Sequence, residues 1–384
     1  MAQLGNAAVH LILILATWAG VLALVGARRR SATMVHAATL MTYATAAVAS
    51  VAMVTLAYAF AISDLNLVYV QQHSDHAMPL FYRITSLWGG MEGSLLLWAW
   101  LLAVFTALAI RSNRERLREL TPWAIVVLMV VIDFFAVLLI VHSNPFEVFL
   151  TGAPTTGKGL NPLLQNPYMV THPPSLYLGF VGMAIPFAFA MAALITGHTD
   201  EAWLQAVRRW ALLAWFFLAL GLTLGMLWAY EELGWGGYWG WDPVENAGFM
   251  PWLLSTAFIH SIIVQERRQM LKTWNMVLAI LAFCMTIFGT FLTRSGFIDS
   301  VHAFARSNIG YVFLAFIGIV LVVGLGLVVW RLPKLRSRGE LESVMSREFW
   351  FLLNNWVLLS GCLLVMVLTV FPNISEAFGE KITI

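Results

Sequence analysis

Four large aromatic side chains fall within the seven residues Trp235-Gly236-Gly237-Tyr238-Trp239-Gly240-Trp241, and the run closes on Asp242-Pro243-Val244-Glu245-Asn246. Exposed indole gains nothing in water, so tryptophans at this density must lie against something flat and apolar, either lipid or a ligand. The glycines between them let the backbone approach that surface closely. Two histidines stand in other polar stretches: His172 in Thr171-His172-Pro173-Pro174, and His302 in Asp299-Ser300-Val301-His302. Imidazole nitrogen is an axial ligand for iron, and indoles pack on a macrocycle. An aromatic platform with a histidine on each flank is therefore what is needed to hold an iron porphyrin from both faces. The two propionates of such a ligand need cations, and Arg83, Arg294 and Arg306 are the candidates. The competing reading is an interfacial aromatic belt, with hydrogen-bonded loop histidines and arginines on lipid headgroups. Asp242, Glu245, Glu231 and Glu232 are available as acids or bases. Asp-Pro also commonly starts a helix, with Asp as N-cap and Pro in the first helical position, and the two roles are compatible.

These residues have to be positioned by a chain that is 60% hydrophobic and only 11% charged, which excludes a soluble globule and predicts an all-α, polytopic membrane bundle. Apolar runs long enough to cross a bilayer fall at roughly 7–27, 34–62, 94–111, 122–142, 175–196, 209–230, 249–264, 275–292, 311–330 and 349–371. Ten spans put both termini on one side. Seventeen of the 22 Lys and Arg lie in the loops of the opposite side, and every loop agrees. By the positive-inside rule that side is cytoplasmic, so both termini and the tryptophan loop are expected in the periplasm. The expected location is a bacterial inner membrane or an organellar equivalent. The first run is too long for a signal-peptide core and lacks a basic flank before it, so it reads as a retained span.

The expected organisation is a single transmembrane domain, 1–384, with periplasmic loops at 63–93, 143–174, 231–248 and 293–310. The first loop carries His73, His76, Arg83 and the shorter echo Trp88-Gly89-Gly90-Met91-Glu92-Gly93. In the second, Pro173 and Pro174 are expected to hold His172 in an extended conformation at the mouth of the fifth span. The basic loops are short and have no phosphate-binding glycine pattern, so neither a nucleotide enzyme nor a nucleic-acid partner is indicated. The lipid bilayer is the one partner that composition implies.

Within the apolar runs, His260 demands a role: haem ligand, relay residue or interhelical hydrogen bond. Asp133, near the middle of the fourth span, is expected to face the bundle interior. It motivates an alternative function as a haem or small-solute transporter, and His260 motivates an integral cytochrome b. No inverted repeat supports the former, and no clear histidine pair supports the latter. Cys284 and Cys362 lie in apolar runs without a C-x-x-C spacing and read as packing residues.

The stretch Trp235 to Leu253 resembles the tryptophan-rich, or WWD, haem-handling signature of the cytochrome c haem lyases. Its D-P-V-E-N continuation is similar to the CcmF-like branch, and so are Trp88 to Ser94, the T-H-P-P of His172 and the F-L-T-R-S-G of Phe291 to Gly296. A nitrite-reductase-dedicated relative shares much the same motifs. The resemblance implies a lyase that takes haem from a periplasmic haem chaperone. It then promotes thioether attachment of that haem to the C-x-x-C-H of an apocytochrome c, offered with a thiol-presenting subunit. His172 and His302 would then be axial ligands of the incoming haem b. Trp235, Gly236, Tyr238, Trp239, Trp241, Asp242, Glu245 and Asn246 would form its platform, and Arg83 and Arg294 its cationic partners. His260 would be one ligand of a permanent intramembrane b-haem. Members of the family continue into further spans, a periplasmic domain and a second intramembrane histidine. The chain therefore reads as an amino-terminal portion, truncated or split, whose activity is expected to need a carboxyl-terminal part, in the split case a separate lyase polypeptide.

Overall fold

The computed structural model describes residues 1–234, 236–297, 309–336, 343–380 and 382. Among these there is no strand, only an isolated antiparallel bridge between Leu67 and Val148, and ten helices are long and apolar enough to cross a membrane. The protein is a polytopic helical membrane protein. Each of the ten expected spans is met by one of these helices, most of them several residues longer at the ends, where polar residues continue the helix past the apolar run.

Two compact units divide the chain, Met1–Tyr177 and Leu178–Ile384. In the first, α1 (Ala2–Arg29) packs on α2 (Ala32–Ala61) and α6 (Thr121–Val141), and α5 (Met91–Asn113) packs on α2 and α6. Lipid gives no hydrophobic force between helices, so their association depends on close backbone approach. The buried positions answer that need: Ala16, Ala19, Ala23 and Gly26 on α1 and Ala38, Ala49 and Ala52 on α2. Thr39, Thr42, Thr45 and Thr55 donate to carbonyls four residues back, which satisfies their hydroxyls inside the helix.

The loop between α2 and α5 holds two short helices, α3 (Val68–His73) and α4 (Leu80–Thr85), and a 3-10 turn at Ser86–Trp88. Tyr69 ties this turn down: its hydroxyl donates to the Leu87 carbonyl at 2.8 Å and accepts from the Gly90 amide at 3.0 Å. Gly93 follows for a steric reason, because a Cβ there would lie 1.8 Å from the Leu87 oxygen. The loop is also stitched to residues 156–160. Asp75 accepts from the amides of Ala77 and Gly157, both at 2.8 Å, Gln71 donates to the Thr156 carbonyl at 3.1 Å, and the Lys158 amide donates to the Gln71 carbonyl at 2.8 Å.

Helix α7 (Pro167–Gly182) carries the chain from the first unit into the second. The second unit comprises α8 (Ala184–Thr196), α9 (Ala202–Glu232), α10 (Pro243–Arg268), α11 (Lys272–Arg294), α12 (Gly310–Leu335) and α13 (Arg347–Ala377). Helix α10 is its hub, packing on α9, α11 and α13, while α8 packs on α9, α11 and α12. Pro251 inside α10 has no N–H to give the Ala247 carbonyl. Gly289 of α11 sits against that oxygen so closely that a Cβ would come within 2.6 Å of it. Arg331 of α12 closes the end of α8, donating to the carbonyls of Leu194 and Ile195, each at 2.7 Å.

Two outcomes follow for the first unit. Gly93→Ala should lower the thermal midpoint of the detergent-solubilised protein, because forcing a methyl group against the Leu87 carbonyl costs about 1–3 kcal/mol; Gly152→Ala, where no atom lies within 4 Å, should leave it unchanged. The Asp75 carboxyl is held below its ordinary range first by the Ala77 amide and then by the Gly157 amide, so the charged form is the one the fold favours. Its stabilising contribution is therefore present at neutral pH and lost as pH falls through that lowered value. Amide exchange at Gly157 should quicken with acid in the native protein. In Asp75→Asn it should be fast already at pH 7 and much less pH-dependent, beyond the intrinsic chemistry; an identical acid response in both proteins would contradict this.

Candidate functional site

Helix α10 begins with a capping box. The Asp242 side chain accepts from the Val244 amide at 2.9 Å, and Glu245 Oε2 accepts from the amides of Gly240 and Asp242 at 3.0 and 3.1 Å. Pro243 occupies the first helical position, where its missing N–H leaves nothing unsatisfied. Both carboxylates also sit at the positive end of the helix dipole. The structure therefore assigns Asp242 and Glu245 the holding of the loop, the structural alternative for Asp242 at the sequence level. Asn246, buried beneath them, donates to the Trp241 carbonyl at 3.2 Å and to Thr369 Oγ1 of α13 at 3.0 Å.

These anchors fix an unusual backbone. Gly236 takes φ +70° and Trp241 takes φ +57°, a left-handed conformation that a residue with a Cβ adopts at a cost of roughly 1–2 kcal/mol. The turn throws the Trp241 ring outward, 63% exposed, edge-on to Trp239 with 6.0 Å between centroids. Trp239 in turn meets Phe249 at 5.7 Å, Phe249 stacks on Trp252 at 5.9 Å, and Trp252 stacks on Trp215 at 6.2 Å. Tyr238 stands apart, stacked on Tyr230 at 4.5 Å. Ala219, Leu222, Thr223 and Met226 of α9 face Trp239, Trp241, Phe249 and Trp252 across a groove of about 520 Å³. That lies in the range of roughly 300–1,000 Å³ typical of small-molecule sites, and its walls are those of a site for a flat apolar ligand.

Sequence reasoning reached the loop but not the groove walls beyond it. Phe249 and Trp252 are three residues apart on α10, and with Thr256, which accepts from Trp215 Nε1 at 2.8 Å, they form one helix face; that spacing was the available signal. His260 continues the same face toward α13. Its Nδ1 lies 2.9 Å from Asn354 Nδ2, and its ring lies 5.7 Å from that of Phe351. Asn354 drew no notice in the sequence, although an amide inside an apolar run is itself the signal.

The remaining candidates fall in different places. His172 belongs to the first unit and is half-buried within α7, not in an extended loop. Asn166 caps that helix by accepting from the Tyr168 amide at 2.8 Å, and Pro167 occupies its first position. The helix so started runs through Pro173 and Pro174, and the Thr171 carbonyl is taken by the Ser175 hydroxyl at 2.8 Å. Arg83 lies in α4 and donates from Nη1 to Ser63 Oγ at 3.3 Å. Arg294 ends α11 in the second unit, half-buried. Trp235, His302 and Arg306 lie outside the described residues. Asp133 is half-buried where α1 meets α6: it accepts from Thr17 Oγ1 at 3.1 Å and its Oδ1 is buried, beside a face that includes the exposed Trp18, Val130 and Val137. Cys284 and Cys362 are buried and unpaired with each other.

Residues 88–298 match the family described as cytochrome C assembly protein. The chain is 42% identical over 380 residues to the Haemophilus influenzae "Cytochrome c-type biogenesis protein CcmF", covering 99% of this chain and 58% of that protein. It is 43% identical, with the same coverages, to the "Cytochrome c-type biogenesis protein ccl1" of Rhodobacter capsulatus, and 37% identical over 355 residues to the Haemophilus influenzae "Cytochrome c-type biogenesis protein NrfE", covering 92% and 54%. The chain thus spans somewhat over half the length of the curated relatives it matches. The solved structure of a "Cytochrome c Heme Lyase CcmF" superposes with a TM-score of 0.81 at 34% identity, over 98% of this chain and 57% of that one. The tryptophan loop, the groove behind it and the whole of α10 and α11 fall inside the matched stretch, and the chain belongs to the cytochrome c assembly protein family, in its CcmF-like branch.

Proposed function

We propose that the chain is the haem-handling portion of a cytochrome c haem lyase, and that the aromatic groove between α9 and the tryptophan loop receives one face of the substrate haem. The observation that carries this reading is the groove itself: Trp241, Trp239, Phe249 and Trp252 in successive ring contact, two on a loop pinned by the Asp242–Glu245 box and two on α10, opposite the α9 wall of Ala219, Leu222, Thr223 and Met226. A preformed apolar slot binds a flat ligand without first collapsing on itself. Trp235, Gly236 and Tyr238, from the same loop sequence, are proposed as further contacts of that haem. His172 and His302 are the proposed axial ligands of the substrate haem, and Arg83 and Arg294 the partners of its propionates. The haem comes from a periplasmic haem chaperone, and the acceptor is the C-x-x-C-H of an apocytochrome c presented with its thiol-carrying subunit. In the thioether step each thiol adds across a vinyl group, the sulfur bonding to carbon and the hydrogen completing the ethyl side chain. The chain's own two cysteines are buried in α11 and α13, so both thiols come from the acceptor. The chain's contribution is positioning and shielding. The loop is proposed to lie at the periplasmic face of an inner membrane, as the distribution of basic residues implies.

His260 would be one residue that holds a resident b-haem. Its Nδ1 is engaged by Asn354, which leaves Nε2 as the ring nitrogen open to a metal. For Nε2 to carry a lone pair, Nδ1 must carry the proton and donate it, and the Asn354 side chain offers its oxygen when the amide is turned over. Such a haem would supply an electron to the iron of the substrate, and this chain's part would be to hold and tune it.

Two measurements test these readings. Haem titrated by Soret absorbance into nanodisc-embedded protein, in a His260→Ala background that isolates the groove, should bind on the order of tenfold more weakly to Trp239→Ala and to Trp252→Ala. Trp350→Ala, an exposed indole on α13, serves as control; affinities unchanged across all three variants would remove the groove from haem binding. In protein isolated with its b-haem, Asn354→Asp should lower the midpoint potential and Asn354→Leu should raise it, by tens of millivolts at about 59 mV per tenfold change in the ferric-to-ferrous affinity ratio. Potentials that stay fixed in both variants would mean that Asn354 does not address the iron ligand.

A further inference from the structure

Asn355 of α13 has no part in the site described above, yet its side chain is fully buried in an apolar span. It lies where three helices meet, donating to the Ala257 carbonyl of α10 at 3.1 Å and accepting from Trp274 Nε1 of α11 at 3.2 Å. The buried positions of α13, Asn355, Cys362, Val365 and Thr369, follow one another at spacings of seven, three and four, which makes one helix stripe. Thr369 accepts from Asn246 at 3.0 Å toward one end of that stripe, and Asn355 holds the other. The side chains around Asn355 carry little rotational information: Leu353, Trp356 and Val357 are exposed, and in hydrocarbon an apolar side chain does as well against lipid as against protein. The buried polar groups are therefore what tell α13 which face to turn to α10.

Asn354 precedes Asn355 and meets α10 one turn beyond Ala257, where its amide lies 2.9 Å from His260 Nδ1. Neighbouring helix residues point about 100° apart, so the place of one fixes the place of the other. We infer that Asn355 is a positioning residue: lodged between α10 and α11, it sets the rotation of α13 at which Asn354 reaches His260 and holds the ring in its Nδ1–H form. Without the Asn355 amide, the Trp274 N–H loses its acceptor, and the rotation at this level is left to apolar and ring contacts. A small turn of α13 then withdraws Asn354 from the ring. The use of that form, a lone pair on Nε2, rests on the reading of His260 as a haem-holding residue; the positioning itself does not.

The test uses the full chain, purified without haem into nanodiscs, with histidine isotope-labelled at both ring nitrogens. Solid-state NMR then reads the ratio of Nδ1–H to Nε2–H tautomers, and the resonances that vanish in His260→Ala are those of His260. The Nδ1–H form should dominate in the wild type, and the ratio should fall roughly fivefold in Asn355→Leu, the equivalent of one hydrogen bond. It should fall by less in Trp274→Phe, which keeps an aromatic ring beside Trp356 and loses the donor. In an Asn354→Leu background both substitutions should change nothing further, an outcome that a mere packing role for Asn355 does not give. Trp274→Phe is the milder change and keeps the test decisive where Asn355→Leu fails to fold. A folded Asn355→Leu or Trp274→Phe with the wild-type ratio would overturn the inference, as would a further shift when Asn355→Leu is added to Asn354→Leu, or a wild-type ring that carries its proton on Nε2. Haem-loaded protein separates the two readings: a b-haem retained by His260→Ala would overturn the haem reading alone.

Discussion

The first turn of α10 has backbone N–H groups with no helical partner, at the point where the chain passes from a glycine-rich loop into a long apolar helix. What becomes of those donors decides the rest of the second unit. Asp242 takes one, Glu245 reaches back for the amides of Gly240 and Asp242, and Pro243 has none to offer. With that geometry set, the loop has little freedom left. Trp241 is held in a left-handed conformation by an Asn246 side chain that bonds its carbonyl, and the same amide reaches Thr369. A satisfied helix start thus becomes a directed indole, and a directed indole becomes one wall of a groove.

Proline has a related effect deeper in the bundle. A proline inside a membrane helix frees a carbonyl four residues earlier, which hydrocarbon cannot solvate, so a neighbour must approach it. At Pro251 the neighbour is α11, brought against the Ala247 carbonyl at Gly289. In α7 the carbonyls that Pro173 and Pro174 free are those of Met169 and Val170, in the helix's first turn, and one residue further on the Ser175 hydroxyl bonds the Thr171 carbonyl. His172 is consequently presented from a helix turn and inherits that helix's rigidity.

The spans were readable from sequence because crossing a bilayer demands about twenty apolar residues, a constraint too strong to be obscured by local propensity. The cap at Asp242 was readable for the same kind of reason, since Asp-Pro has a simple local mechanism. His172 was misjudged on local grounds: the rule that a residue before proline avoids the helical region is a bias, and the Asn166 cap with Pro167 behind it outweighed it. Asp133 was placed only in part, for it is half-buried where α1 meets α6, beside an exposed face. Its helix is apolar on every side, so periodicity carried no information about which face meets lipid. The groove walls on α9 and the Asn354 amide beside His260 come from distant parts of the chain, and no spacing rule within one helix brings them to α10.

The contacts that shape the tryptophan loop are short in sequence. Val244 to Asp242, Asp242 and Gly240 to Glu245, and Trp241 to Asn246 each span five residues or fewer, and Trp239 to Phe249 spans ten. Among the described residues, the bond from Asn246 to Thr369 is one that reaches far along the chain. Loop-closure entropy over such distances is small, so this segment can take shape as α10 leaves the aqueous phase, before α11, α12 and α13 have been synthesised. In terms of contact order, the platform is among the most local parts of the second unit. It is a cassette that can be inherited, or transplanted, with little more than the helix that follows it.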